Sequence, residues 1–294
     1  MVGYIAVVTV SRRPYHSDLS DARRALLEPI LTEWRTARTV RGLEINPPMH
    51  DLREIVNAIL YVNRTGIAWR YLPHDFPPPS TVYGYYAEWE KDGTTKLIHD
   101  LLRRQVRTAA GRAAEPTAAL VDSQSIRTSN NVPEASQGID AGKRIKGRKR
   151  HIVTDTLGLL LVVMVTAASV QDTTGGRVLM DAVSVDFPNV AKAWVDSGYK
   201  RSVIERGATY GIDVEVVSKL KGQKGFQPLP KRWAVERTLG WLALHRRLVR
   251  DYETLPNRSE TVIHWAMIDN MSRRLTNEST PTWRIDTPEP LIST

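Results

Sequence analysis

Apolar residues in the first third of the chain recur at intervals of three and four, the spacing of helices that bury one face. The pattern at 26–34 predicts one helix, and the pattern at 52–60 predicts a second. Asp51 stands at the N-cap position of the second helix, and Gly66 is placed to end it.

Two more helices are predicted at 80–90, after a run of three prolines, and at 95–110. Short helices joined by an abrupt turn indicate a helix-turn-helix, in which the helix at 80–90 enters the major groove of DNA. Thr81 and Tyr83 are its candidate DNA contacts. A helical bundle that makes no contact with DNA is the alternative interpretation.

After a linker at 111–116 the pattern changes to short apolar runs, which are typical of buried strands. The predicted elements are a strand at 118–121, a hairpin of strands at 150–154 and 159–166, a helix at 172–183, a strand at 193–195, a helix at 199–207, a strand at 212–217 and a long helix at 231–250. This order predicts an α/β fold with a mixed sheet, because the hairpin is antiparallel and the helical connections permit parallel strands.

These patterns divide the chain into four parts. We expect an extension at 1–16, a helical DNA-binding domain at 17–112, an α/β domain at 113–255, and a C-terminal helix with a polar tail at 256–294. The apolar run at 1–10 has no positive charge before it, unlike a signal peptide. No run approaches the roughly 20 apolar residues that span a bilayer, which predicts a soluble, intracellular protein.

Three acidic residues occupy unusual positions. Asp122 and Asp196 each follow a predicted strand within the triplet Val-Asp-Ser, at the sheet edge where α/β proteins place ligands. Glu236 lies among apolar residues of the long predicted helix, where an unneutralised carboxylate is costly. Other acids have structural explanations, such as Asp155 in the hairpin turn and Asp172 as a helix cap. The repeated triplet and the core glutamate favour one shared functional site.

The chemistry that this trio suits is metal binding. Carboxylates without a neighbouring His or Cys suit Mg²⁺ or Mn²⁺ rather than zinc. Two such ions about 3.5–4 Å apart clamp the attacking and leaving oxygens of a phosphodiester displacement. We therefore expect Asp122, Asp196 and Glu236 to be both metal ligands and catalytic residues.

Composition and charge narrow the class of protein further. The 294 residues are 41% hydrophobic and 25% charged, as in ordinary globular proteins. The absence of cysteine excludes disulfides, thiolate zinc sites and cysteine nucleophiles. Basic residues number 41 against 32 acidic ones, for a net charge of +9, and most are arginine, which suits phosphate well. Nucleic acid is the partner that this balance indicates.

Six of the eight residues at 143–150 are cationic, and we expect this run to contact the DNA backbone. Its candidate contacts are Lys143, Arg144, Lys146, Arg148, Lys149 and Arg150. Helical periodicity also places Arg232 and Arg247 on the stripe of Glu236, where they would hold phosphates. The alternatives are a solvated charged face for the run and ordinary ion pairs for the two arginines.

Several motifs resemble one known family, the DDE transposases of insertion-sequence family five. They are VDS at 121–123, GRKRHIVTDTLGLLL at 147–161, VDSGY at 195–199, RWAVERTLGWL at 232–242, GIAWRYLP at 66–73 and STVY at 80–83. The likeness covers roughly residues 12–275, with the motifs in order and at fitting separations. It implies an RNase H-like core with Asp122, Asp196 and Glu236 as the metal-binding triad, and strand transfer at inverted repeats.

The same resemblance implies the partners of the chain. They are the double-stranded DNA of transposon ends and of targets, bound by a homodimer in the nucleoid of a bacterial cytoplasm. Leu229 and Ala243 stand where the wider superfamily has a tyrosine and a lysine, and Arg247 is expected to substitute for the lysine. The alternatives are a decayed or repurposed transposase that only binds DNA, and a nuclease that cuts without joining.

Overall fold

The fold is known from a computed structural model that describes residues 12–40, 50–199, 201–217 and 232–281. The helices within these residues are α1 (Asp21–Val40), α2 (Leu52–Thr65), α3 (Pro79–Lys91), α4 (Thr94–Ala109), α5 (Asp172–Asp186), α6 (Arg201–Ala208), α7 (Arg232–Ala243) and α8 (Pro256–Leu275). The strands are β1 (Ala118–Arg127), β2 (Gly138–Asp140), β3 (Ile145–Thr154), β4 (Leu160–Ala167), β5 (Lys192–Val195) and β6 (Asp213–Val216). Most of the predicted N-terminal extension, the end of the C-terminal tail, and Leu229 lie outside the described residues.

Local capping signals determine the ends of α2. The side chain of Asp51 accepts a hydrogen bond from the Arg53 amide, as an N-cap does. Gly66 adopts a left-handed conformation with φ 77°, and its amide donates to the Val62 carbonyl. Both predicted ends of this helix are confirmed.

A single 3₁₀ turn, Trp69–Tyr71, separates α2 from α3. Helix α3 begins at Pro79, because proline is favoured in the first turn, and it contains the predicted helix at 80–90. The helix is therefore confirmed, while its contact with DNA stays a prediction.

The strands form one mixed sheet in the order β2-β3-β1-β5-β6, with β4 also paired to β3. Strand β3 pairs antiparallel with β1, β2 and β4. Strands β1, β5 and β6 run parallel to one another. The mixed α/β sheet predicted from the hairpin and the helical connections is confirmed.

Helices cover both faces of the sheet. Val121 of β1 belongs to an apolar cluster with Leu179 of α5 and Val203 of α6. Leu120, the neighbouring residue, belongs to a second cluster on the opposite face with Val235 of α7 and Trp265 of α8. This division follows from the alternation of side chains along a strand.

Helix α8 lies between the N-terminal helices and the sheet. The ring of Trp265 is 5.9 Å from that of Trp89 in α3, centroid to centroid. The Asn63 amide of α2 donates to the Val262 carbonyl at 3.0 Å. Helix α8 also packs on α4 and β4. No helix in the described ranges has the length and apolar character needed to cross a membrane.

Several elements differ in length from their predictions, and β3 begins at Ile145, five residues before its predicted start. Strand β1 continues six residues past Val121, because antiparallel pairing with β3 extends from Leu120 to Arg127. The helix predicted at 231–250 ends at Ala243 instead. There the amides of Leu244 and His245 donate to carbonyls three residues earlier, which tightens the chain into a turn.

Candidate functional site

Asp122 and Asp196 lie at the same level of two neighbouring strands. Leu120 of β1 is paired with Trp194 of β5 in parallel register, and the two aspartates each follow two residues later. Parallel neighbours are about 4.8 Å apart. Asp196 directly follows β5, whereas Asp122 lies inside the extended β1. The two strands are thus neighbours at the level of Asp122 and Asp196, as the repeated VDS triplet predicts.

Asp122 lies on the sheet face that α7 covers. Side chains alternate along a strand, and Leu120, two residues earlier, packs in the same cluster as Ala234 and Val235 of α7. Asp122 is buried, and its Oδ1 accepts a hydrogen bond from the Ser123 amide at 2.7 Å. Helix α7, which carries Glu236, therefore packs over the strand that carries Asp122.

The turn between β3 and β4 holds α7 against the sheet. The Thr238 hydroxyl donates to the Gly158 carbonyl at 2.6 Å, and the Arg237 guanidinium donates to the Leu157 carbonyl at 2.6 Å. Glu236 itself is half-buried, and Trp233 is 50% exposed. The prediction that Glu236 lies in the core is thus corrected, because α7 packs on one side and leaves Glu236 half-buried.

The donor set fits a hard divalent cation in its chemistry. The carboxylates of Asp122, Asp196 and Glu236 supply the oxygen ligands that Mg²⁺ and Mn²⁺ prefer. In the described ranges, no group of three Asp, Glu, His or Cys side chains is arranged to hold a metal ion.

Asp172 is not the helix cap that its position suggests. Gln171 occupies the N-cap position of α5, and no side-chain capping bond forms there. Asp172 Oδ1 instead accepts from the Ser123 hydroxyl at 2.7 Å and pairs with Lys149 Nζ at 3.0 Å. Burial raises the pKa of Asp172, but these two partners outweigh burial and lower it.

Lys149 is a buried cation with two acidic partners. Its side chain is 6% exposed, and its Nζ lies 3.5 Å from Asp140 Oδ2 as well as 3.0 Å from Asp172. The Ser125 hydroxyl also donates to Asp140, and the pKa of Asp140 is lowered to about 2. Lys149 thus joins β3 to β2 and to the first turn of α5.

Tyr199 lies close to Asp172 and to the two predicted aspartates, Asp122 and Asp196. Its hydroxyl is buried, and burial together with the charges of Asp122, Asp172 and Asp196 raises its pKa. A Cβ added at Gly198 would lie 2.9 Å from Asp196 Oδ1 and 3.5 Å from Asp172 Oδ2. Sequence reasoning missed Asp172, Lys149 as a core residue, and Tyr199. The sequence does carry one signal for Tyr199, which stands three residues after Asp196 in the motif VDSGY.

The basic run at 143–150 divides into a surface half and a core half. Lys143, Arg144 and Lys146 are exposed. The buried members of the run are Arg148, Lys149 and Arg150. The reason is that both faces of β3 are covered there, by α5 on one side and by the segment at 248–259 on the other.

Both arginines of the core half are bonded inside the fold. Arg148 Nη1 donates to the Glu253 carbonyl at 2.6 Å, and Arg150 Nη1 donates to the Leu248 carbonyl at 2.8 Å. A buried guanidinium does not reach a phosphate. The prediction of DNA contact is therefore corrected for Arg148, Lys149 and Arg150.

Arg247 does not continue the stripe of Glu236, because α7 has ended before it. Its guanidinium is buried and binds Glu253, with Nη2 to Oε1 at 2.7 Å, and also donates to the Ile67 carbonyl. Arg247 thus forms a structural ion pair with Glu253 and does not substitute for a phosphate-binding lysine. The side chain of Arg232 lies outside the described part of the chain.

The two candidate contacts on α3 are accessible. Thr81 is half-buried, and Tyr83 is 38% exposed while its ring packs 5.4 Å from that of Trp69. Tyr86, one turn on, is buried, and its hydroxyl donates to the Arg258 carbonyl at 2.7 Å. Helix α3 thus presents one polar face and buries the other.

Two protein families match the chain in succession. The family described as "Putative transposase of IS4/5 family" matches residues 19–99, and the family described as "Transposase DDE domain" matches residues 113–271. The second match covers more than half of the chain.

A curated relative is similar over part of its length. It is the "Putative transposase for insertion sequence element IS402" of Burkholderia cepacia, 34% identical over 116 residues, which are 35% of this chain and 52% of the relative. The match thus spans about half the length of that relative. No solved structure matches the chain.

Proposed function

The chain belongs to the DDE transposases of the IS4/5 type, and from this premise we propose that it is the transposase of an insertion sequence. It binds the inverted-repeat ends of the element and catalyses divalent-metal-dependent cleavage and transfer of DNA strands. It acts as a homodimer on DNA in the nucleoid of a bacterial cytoplasm. The core is of the RNase H-like type.

One observation carries this proposal: two aspartates at the same level of neighbouring parallel strands, with the glutamate helix over the same strand. Asp122, Asp196 and Glu236 would hold Mg²⁺ or Mn²⁺. Such ions, when bound, stabilise negative charge on the attacking and leaving oxygens of a phosphodiester.

The other residues of the site position this triad. Tyr199 packs in the apolar cluster of α5 and α6, beside Asp122, Asp172 and Asp196, whose charges act on its buried hydroxyl. Lys149 neutralises Asp172 and Asp140. Its positive charge thereby reduces the repulsion between these two carboxylates and the three of the triad. Ser123 connects Asp172 to the strand that carries Asp122.

The direct test is incubation of the purified chain with a duplex that contains the inverted repeat of its element, with and without Mg²⁺. Nicks at the repeat boundary followed by joined products are expected only with the metal. Binding without nicks in Mg²⁺ and in Mn²⁺ would identify the DNA-binding alternative. Nicks without joined products would identify the nuclease.

Lys149 provides a separate prediction about positioning. Lys149→Met is expected to lower the single-turnover cleavage rate by about 10–100-fold and to raise the Mg²⁺ concentration for half-maximal rate, because Asp172 and Asp140 lose their shared cation. Lys149→Arg, which retains the charge, should recover part of the loss. A Met variant with the wild-type metal dependence would contradict this role.

Thr81 and Tyr83 provide a prediction about sequence recognition. The double variant Thr81→Ala, Tyr83→Ala is expected to narrow the affinity gap between the repeat and random duplex, since base contacts specify sequence. Competition binding on both duplexes measures the gap. Tyr71→Ala is the matched control, because Tyr71 is 80% exposed and lies before α3. An equal loss on both duplexes would assign the two residues to backbone contacts.

A further inference from the structure

An open cleft of about 500 Å³ lies where β1 ends. Arg127, the last residue of β1, lines it together with Arg144 and Lys146 from the β2–β3 hairpin. Arg250 reaches it from the segment after α7, which runs alongside the end of β1 through the bridge between Thr128 and Asp251. We name this feature the β1-end cleft.

The β1-end cleft is strongly positive. Its four cations face a single carboxylate, that of Glu134, which pairs with Lys146 at 2.9 Å. Within the described ranges, no carboxylate pairs with Arg127, Arg144 or Arg250, and all three are exposed. Three guanidinium groups that converge from three segments are suited to phosphate oxygens.

The backbone at Arg144 gives an independent indication. Arg144 has φ 53°, a left-handed conformation that favours glycine and is strained for a long side chain. The chain nevertheless carries an arginine at this turn, where its side chain lines the cleft. Strain retained at one exposed position points to a functional role for that side chain.

We propose that the β1-end cleft binds the phosphate backbone of duplex DNA about five nucleotides from the bond that is cut. Arg127 follows Asp122 by five residues along one strand, a span of about 17 Å. This odd separation turns its side chain to the other face of the sheet, so the duplex of this proposal passes around the end of β1 to reach the cleft. Phosphates of one DNA strand follow each other every ~3.4 Å along the helix axis. A duplex that runs along β1 from the carboxylates thus brings about its fifth phosphate to the cleft. This placement rests on the proposed function.

The test is a salt titration of binding to a short duplex in EDTA, so that no strand is cut. The variant is Arg127→Ala, Arg144→Gly, Arg250→Ala, in which glycine relieves the strained turn while removing the guanidinium. Its slope of log affinity against log salt should fall by about 2.7, and its affinity by about 100-fold at 0.15 M salt.

The matched control removes three positive charges near the start of β1, at the end of the strand opposite the cleft. It is Arg104→Ala, Arg112→Ala, Lys192→Ala, which lie on or after α4 and at the first residue of β5. Its slope should stay within about 0.5 of the wild-type slope. Equal slopes in the cleft variant and the wild type, or equal decreases in the cleft and control variants, would overturn the proposal.

A second arm locates the contact. Single neutral methylphosphonates are placed along a duplex that contains the repeat end, and affinity is measured for the wild type and the cleft variant. The wild type should lose most affinity about five positions from the cleavage point, and the cleft variant should be insensitive there. The placement would be overturned if the wild type lost most affinity at other positions, or if the wild type and the cleft variant lost affinity equally at the same position. Binding is measured without metal, so failure here is distinct from failure of cleavage.

Discussion

Replacing Asp122 with Asn, Asp196 with Asn or Glu236 with Gln is expected to lower the strand-cleavage rate by at least about 1,000-fold while duplex binding persists. The amide keeps the shape of the carboxylate but not the charge that attracts a divalent cation. Ions held by these carboxylates would contribute several kcal/mol of transition-state stabilisation, and each ~1.4 kcal/mol is a factor of ten in rate. Cleavage under single-turnover conditions and binding in EDTA are measured in parallel.

The control for these variants is Asp213→Asn, an exposed carboxylate on β6 that pairs with Lys192. Asp213 lies at the opposite end of the parallel strands from Asp196. The Asp213→Asn variant should therefore cleave at the wild-type rate. A wild-type rate in any one of the three triad variants would remove that residue from the proposed site. Simultaneous loss of binding would instead indicate a damaged fold.

Arg148→Ala is expected to lower the free energy of unfolding by about 3–5 kcal/mol, the largest effect on stability among the charged residues discussed. The Arg148 side chain is fully buried, with Nη1 3.3 Å from Asp251 Oδ1 and 3.0 Å from the Ser259 hydroxyl. Removing it takes away the ion-pair partner of the buried Asp251 and leaves the Glu253 and Thr254 carbonyls without this donor. Denaturant unfolding measures the change.

Lys146→Ala is the matched control from the same strand. Its pair with Glu134 is exposed, so the expected loss is below about 1 kcal/mol. Arg148→Lys should recover little stability, since one ammonium cannot reproduce the forked bonds of the guanidinium. Equal losses for Lys146→Ala and Arg148→Ala would contradict the division of the basic run into surface and core halves.

This division also shows what sequence could and could not predict. Along α2, periodicity, an N-cap aspartate and a C-terminal glycine agree, because all the signals of a helix are local. The burial of Arg148 and Arg150 depends on a segment about a hundred residues later. Nothing in the sequence around a run of cations shows that distant segments will cover it. The run alone therefore predicts exposed side chains.

The end of α7 has the same explanation. Apolar residues continue past Ala243, and continuity of the pattern predicts continuation of the helix. The chain turns instead, and Arg247 binds Glu253 in a loop that periodicity does not detect. For the proposed site, the repeated VDS triplet predicts that Asp122 and Asp196 lie side by side, and the parallel register of β1 and β5 agrees with that adjacency, while their catalytic role stays a prediction. Asp172 was missed, because a first-turn aspartate is usually a cap and its partner Lys149 lies on another strand.

The position of α8 has a consequence for synthesis of the chain on the ribosome. Helices α1 to α4 emerge first, but Ile98 and Leu102 of α4 share their core with Trp265 and Ile268 of α8, the last helix described. The nascent N-terminal third therefore keeps an apolar face uncovered until nearly the whole chain has been translated. Truncated products that end before α8 would aggregate or be degraded, and would not accumulate as competitors of the complete protein for DNA.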